Sequence, residues 1–154
     1  MIHYKKLNLS DLKEARELVW NVFLEFVAPD YSTEGVENFK KFIDENNLKD
    51  NVNTGNMEFY GAFTEGRIVG VIAVRGCNHI CLFFVDKEFH GQGIARNLFE
   101  LVKKNLSVGD KVEKVITVNA SPYAVKIYEK LAFNVVDNEQ EKDGIRFTPM
   151  KYVF

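Results

Sequence analysis

Two glycines two residues apart, Gly91 and Gly93, lie where an apolar run ends and a helical pattern begins. The run Ile80-Cys81-Leu82-Phe83-Phe84-Val85 has the length and β-rich composition of a buried central strand. After the polar turn Asp86-Lys87-Glu88, the residues Ile94, Ala95, Leu98, Leu101, Val102 and Leu106 recur at helical spacing. His90-Gly91-Gln92-Gly93 therefore sits at the mouth of an amphipathic helix. The first-turn amides of a helix have no partner within it, its dipole is positive there, and glycine lets an anion approach the backbone. Such an arrangement can hold phosphate; it can also be an ordinary strand-to-helix turn.

Two phosphate-binding templates fail on this stretch. A dinucleotide fingerprint needs a third Gly or Ala where Arg96 stands, and a P-loop needs Lys-Ser/Thr where Ile94 and Ala95 stand. The stretch instead resembles the acetyl-coenzyme A signature of the GCN5-related N-acetyltransferases (GNAT), Gln/Arg-x-x-Gly-x-Gly/Ala. His90-Gly91-Gln92-Gly93-Ile94-Ala95 fits at the Gly and Ala positions, with His90 in place of Gln or Arg. A second block, residues 115 to 133 (VITVNASPYAVKIYEKLAF), resembles the family's strand, Asn, helix and Tyr-Glu-Lys-Leu-Gly-Phe ending, with Ala132 where Gly is usual.

The resemblance implies a V-shaped cleft between the fourth and fifth strands. Backbone groups near Phe84 and Val85 would pair with the pantetheine arm of acetyl-coenzyme A, much as an added strand would. The pyrophosphate would lie over the amides of Gly91, Gln92, Gly93, Ile94, Ala95 and Arg96, with Arg96 adding positive charge; His90, if protonated, would suit a phosphate, and Asn119 would contact the cofactor. Tyr128 would protonate the departing thiolate. Read without the family, Tyr128 is a core tyrosine on an apolar helix face, Asn119 a turn residue and His90 a loop residue. The implied activity is transfer of an acetyl group to a primary amine, on a small molecule or a peptide, by direct attack and without a metal. The alternative is a non-catalytic acyl-coenzyme A sensor.

Other groups suited to chemistry have no distinguishing pattern. His79, Glu58 and Asp86 could each accept the proton that an amine must lose before attack, as could a water chain. Glu25, Tyr31 and Glu34 could receive the amine, although acids on helix surfaces are mostly solvated. Cys77 and Cys81 are too few for a disulfide framework and read as reduced thiols of a cytoplasmic protein.

The chain of 154 residues suits one domain, 1–154, with a sizeable core. A formal charge of -2 argues against nucleic acid or an anionic membrane as partner, and no apolar run reaches the length of a membrane span. A homodimer stays open alongside the monomer.

The positioning elements follow from periodicity. Strands are expected at 2–9, 58–63, 68–74, 80–85, 112–118, 133–136 and 145–153. Helices are expected from a Ser10 cap to Val27, from a Thr33 cap through Ile43, after the glycine loop, and from a Ser121 cap with Pro122 at its first position. Residues 46–56, rich in Asn and Asp, read as a loop, as do Val108-Gly109-Asp110 and the charged turn 137–144. This predicts an α+β fold, GNAT-like by resemblance: a mixed, mostly antiparallel sheet of about seven strands flanked by four helices.

Overall fold

The structure, a computed structural model, describes residues 1–106 and 115–154. The turn expected at Val108-Gly109-Asp110 and the expected strand start at Val112 lie outside them.

Strand β1 (His3–Lys6) is followed by α1 (Leu12–Phe26), α2 (Thr33–Phe42) and α3 (Glu45–Asn53). Then come β2 (Met57–Thr64), β3 (Arg67–Arg75), β4 (His79–Val85) and α4 (Ile94–Leu106). The chain finishes with β5 (Val115–Ala120), α5 (Val125–Lys130), β6 (Asn134–Val135), β7 (Gln140–Lys142) and β8 (Ile145–Val153). The sheet order is β1-β2-β3-β4-β5-β8-β6, with β7 paired to β8. All pairings are antiparallel except β4 with β5.

The sheet separates two apolar cores. On one side α1 buries Leu12, Ala15 and Val19 against Ile68, Val71, Ala73 and Leu82, and Phe23, next on the same helix face, is buried against Phe39. On the other, α4 buries Ile94, Leu98, Phe99 and Val102 against Val69, Ile72 and Ile80. Each fully buried side chain of this size stabilises the fold by about 1.5–3 kcal/mol before conformational entropy is subtracted.

Five local expectations are corrected. Residues 46–56 are mostly helix, α3. Asp44 caps it by accepting from the amides of Asn46 (3.2 Å) and Asn47 (3.4 Å), and Leu48 is buried beneath it. Its Asn-rich composition favours turns, but the side chains of Asn47 and Asn51 bond to the carbonyls of Phe42 and Asn47 instead, each at 2.7 Å. Asn8 rather than Ser10 opens the first helical segment, in a reciprocal capping box with Asp11, and Ser32 rather than Thr33 caps α2. Ser121 does not cap α5 with its side chain. Its carbonyl accepts from Ala124, a tightened first turn that holds Pro122, and the helix proper begins at Val125. Finally, the charged turn contains β7, so the described residues form eight strands and five α-helices.

The feature that builds the site lies in β4. Ile80 is opposite Val74 and Leu82 is opposite Ala73, so Cys81 is an extra residue, a β-bulge. Beyond it β4 leaves β5: among the described residues their pairing covers only His79 with Thr117 and Ile80 with Val118. The outer edge of β4 from Cys81 to Val85 therefore faces a gap.

Candidate active site

That gap is a cleft of about 430 Å³. Its floor is β4 and the end of β5; its sides come from α1, α2, the glycine loop and α5. Among the residues expected in the site, Phe84, Val85, His90, Gly91, Gly93, Ile94, Ala95, Asn119 and Tyr128 all line it. Gln92 and Arg96 are outside its lining. Both are exposed, and the Arg96 guanidinium reaches the Lys130 carbonyl at 3.4 Å.

Strand alternation assigns the free backbone groups. The Asp86 amide donates inward to Val69 of β3 at 2.9 Å, so Phe84 and Leu82 also point their peptide groups toward β3, while Phe83 and Val85 point theirs into the cleft. Of the residues around the expected pair, Phe84 therefore turns its ring to the cleft, while Phe83 and Val85 turn their backbone groups to it. His90 supports this direction, because its Nε2 lies 2.9 Å from the Val85 carbonyl. A carbonyl only accepts, so Nε2 carries the hydrogen.

Gly91 and Gly93 both have φ of +80°, the left-handed region that costs other residues strain. A Cβ at either would meet nothing within 4 Å, so conformation rather than space selects glycine there. The first helical bond of α4 runs from the Asn97 amide to the Gly93 carbonyl at 3.0 Å. Among the described residues, the amides of 91 to 96 find no acceptor. A row of unsatisfied amides at a helix mouth fits a phosphate.

Tyr128 is buried, 5% exposed, and its ring is set between Phe83 and Phe133. Its hydroxyl has no hydrogen-bond partner among the described residues, yet it is not sealed from the cleft that its residue lines. Burial pushes its pKa well above the ordinary tyrosine value, with a smaller contribution from nearby Cys81. The hydroxyl therefore keeps its proton. The Cys81 thiol is pushed up to about 12, chiefly by burial, and points to the Ala73 carbonyl at 3.6 Å. It is a poor nucleophile.

None of the acids or bases singled out for the amine proton lines the cleft. Glu58 accepts from the Tyr60 hydroxyl at 2.9 Å, and His79 meets Thr117 Oγ1 at 2.8 Å where β4 and β5 part. Asp86 caps the turn after β4, and with Glu25 it lines a separate groove. Lys130, part of the Tyr-Glu-Lys-Leu-Gly-Phe ending but not singled out there, does line the cleft. On an α-helix Lys130 and Tyr128 are about 200° apart, which hides from the sequence that both line one cleft at the end of α5.

A model of the family described as "Acetyltransferase (GNAT) domain" matches residues 27–154. The chain belongs to the GNAT acetyltransferase family. Acetyl-coenzyme A is the cofactor of this family, and the open β4 edge and the unsatisfied amides of 91 to 96 fit it. Solved structures agree on the GNAT fold. A GCN5-related N-acetyltransferase from Rhodopseudomonas palustris superposes with a TM-score of 0.81 at 20% identity, covering 99% of this chain and 95% of that one. The PaiA N-acetyltransferase from Thermoplasma acidophilum, in complex with coenzyme A, gives 0.80 at 19% identity, covering 100% and 99%. An aminoglycoside 6'-N-acetyltransferase complexed with coenzyme A gives 0.64 at 10% identity, covering 98% and 96%. No curated protein matches the sequence. Among the described residues, no helix is long and apolar enough to cross a membrane.

Proposed function

We propose that this GNAT protein is an N-acetyltransferase that acetylates a primary amine by direct attack. One observation carries the reading: a single cleft joins a free strand edge, a row of amides and a protonated tyrosine hydroxyl that have no hydrogen-bond partner among the described residues. When bound, acetyl-coenzyme A supplies the thioester whose carbonyl carbon the amine attacks, so that a C–N bond forms and the C–S bond breaks.

The residues of the chain do the rest. The cleft-facing peptide groups of Phe83 and Val85 bind the pantetheine arm as a neighbouring strand would, and an amide here polarises the thioester carbonyl. The amides of 91 to 96 hold the pyrophosphate, with Lys130 adding positive charge at the same end. Tyr128 gives its proton to the sulfur and regains one from solvent. Among the described residues no carboxylate lines the cleft, so the proton lost by the amine goes to water or to the His90 imidazole, which does line it.

The test is calorimetric titration with acetyl-coenzyme A followed by a thiol-release assay with primary amines. Saturable binding and amine-dependent release are expected. Binding with no release on any amine would favour the acyl-coenzyme A sensor.

A further inference from the structure

Opposite the glycine loop, the cleft is closed by a different kind of surface. Phe23 and Phe39 stack with centroids 3.9 Å apart and planes 8° from parallel. Tyr31 meets Phe23 edge-on at 5.5 Å, and Phe84 approaches Phe39 at 6.1 Å. These four rings all line the cleft, and Trp20 backs them by stacking on Phe23. The hairpin of β7 and β8 fixes the segment that carries Tyr31. The Ser32 amide donates to the Gly144 carbonyl (3.2 Å), Asn38 bonds to the Asp143 carbonyl (3.0 Å), and Arg146 pairs with Asp30 (3.5 Å). Gly35 allows this approach, since a Cβ there would overlap the Gly144 carbonyl.

The charge around this wall is as informative as its shape. Nearby acids are committed elsewhere: Glu25 to Lys87 at 3.0 Å, Glu14 to the Ile68 amide at 2.8 Å, and Asp30 to Arg146. Glu34 is exposed outside the cleft. The polar side chains on this half are the Tyr31 hydroxyl and the Cys81 thiol. A single ammonium can rest against ring faces before it loses its proton. A second ammonium on the same molecule would be desolvated with no carboxylate to meet it, which is costly.

We propose that the acceptor is a monoamine carried on an aromatic body, an arylalkylamine, selected by the wall of Tyr31, Phe39 and Phe84, with Phe23 buried behind it. This rests on the transferase reading above. The aromatic body stacks against the wall, and the amine projects toward β4, where Phe83 and Tyr128 meet the cleft.

The test compares kcat/KM for thiol release from phenethylamine, n-butylamine, spermidine and a lysine-containing peptide at saturating acetyl-coenzyme A. Phenethylamine should exceed each of the others by at least about tenfold. Phe39→Ala should erase that preference by lowering kcat/KM for phenethylamine far more than for n-butylamine. Because Phe39 packs on the core, Tyr31→Leu at the half-exposed edge of the wall provides the same comparison, with acetyl-coenzyme A titration reporting an intact cleft. Preference for spermidine or the peptide would overturn the acceptor class and leave the transferase reading standing. Equal losses for both amines in the variants would overturn the role of the wall. Acetyl-coenzyme A binding with no release from any of the four amines would overturn both readings.

Discussion

The ring of Phe83 meets the ring of Tyr128 edge to face, with centroids 5.9 Å apart and planes at 62°. The residue whose backbone faces the cleft thus also holds the tyrosine that faces it, and Phe133 supports the other side at 5.2 Å. The Tyr128 hydroxyl has no partner among the described residues, so its removal breaks no described protein hydrogen bond. Tyr128→Phe is expected to lower turnover by about a hundredfold to ten-thousandfold, the usual range for a lost general acid. Acetyl-coenzyme A affinity by calorimetry and melting temperature should stay close to wild type. Full turnover with an unchanged pH profile would remove Tyr128 from the chemistry.

At Gly93 two substitutions separate backbone shape from charge. With φ at +80° and open space around it, either Ala or Asp places an L side chain in the left-handed region, at about 1–2 kcal/mol. Gly93→Ala and Gly93→Asp should therefore lose similar stability in urea unfolding. Only Asp adds a negative charge where unsatisfied amides favour an anion, so it should lose clearly more acetyl-coenzyme A affinity. Equal losses of affinity would assign the effect to loop shape alone.

Much of this site was legible from the sequence because strand, loop and helix are contiguous between Ile80 and Leu106 and their periodicities are strong. The Cys81 bulge was not, since one extra residue in an apolar run leaves no mark on its composition. It decides which of Phe83 and Phe84 turns its backbone to the cleft, which the apolar run alone does not show. Helix α3 was missed because its apolar signal is reduced to Leu48 and Val52, while its Asp44 cap and Asn side-chain bonds depend on geometry. The aromatic wall was hidden for another reason. Phe23, Tyr31 and Phe39 belong to two helices and the turn between them, and Phe84 to a strand. Tyr31 alone stands out as a candidate amine contact; the other three read as ordinary core aromatics until folding brings the four together.

Ala132 ends α5 in a conformation that suits glycine. Its φ is 73°, its amide bonds to the Glu129 carbonyl, and the Phe133 amide bonds to the Tyr128 carbonyl, both at 3.0 Å. This is the paired-bond Schellman ending, which usually places glycine in the left-handed position. Ala132→Gly relieves the Cβ strain and is expected to raise stability by about 1 kcal/mol, less the greater freedom glycine brings to the unfolded chain. Urea unfolding measures it. A loss of stability would show that the alanine methyl contributes more through packing than it costs in strain.

His79 gives the fold a pH dependence at the closed end of the cleft. Its ring joins β4 to β5 through Thr117, and burial, then the nearby Arg75 charge, holds its pKa below the ordinary histidine value. The unfolded chain, with a histidine pKa of about 6.5, binds the proton more readily than the folded one. The stability linked to this residue is complete above that unfolded value and declines as pH falls from it toward the depressed folded value. Urea midpoints of the wild type should therefore drop between pH 7 and pH 5. His79→Asn removes the titration while keeping a polar side chain opposite Thr117, so its midpoint should fall less over the same range. Parallel declines in the two proteins would assign the pH dependence to other groups.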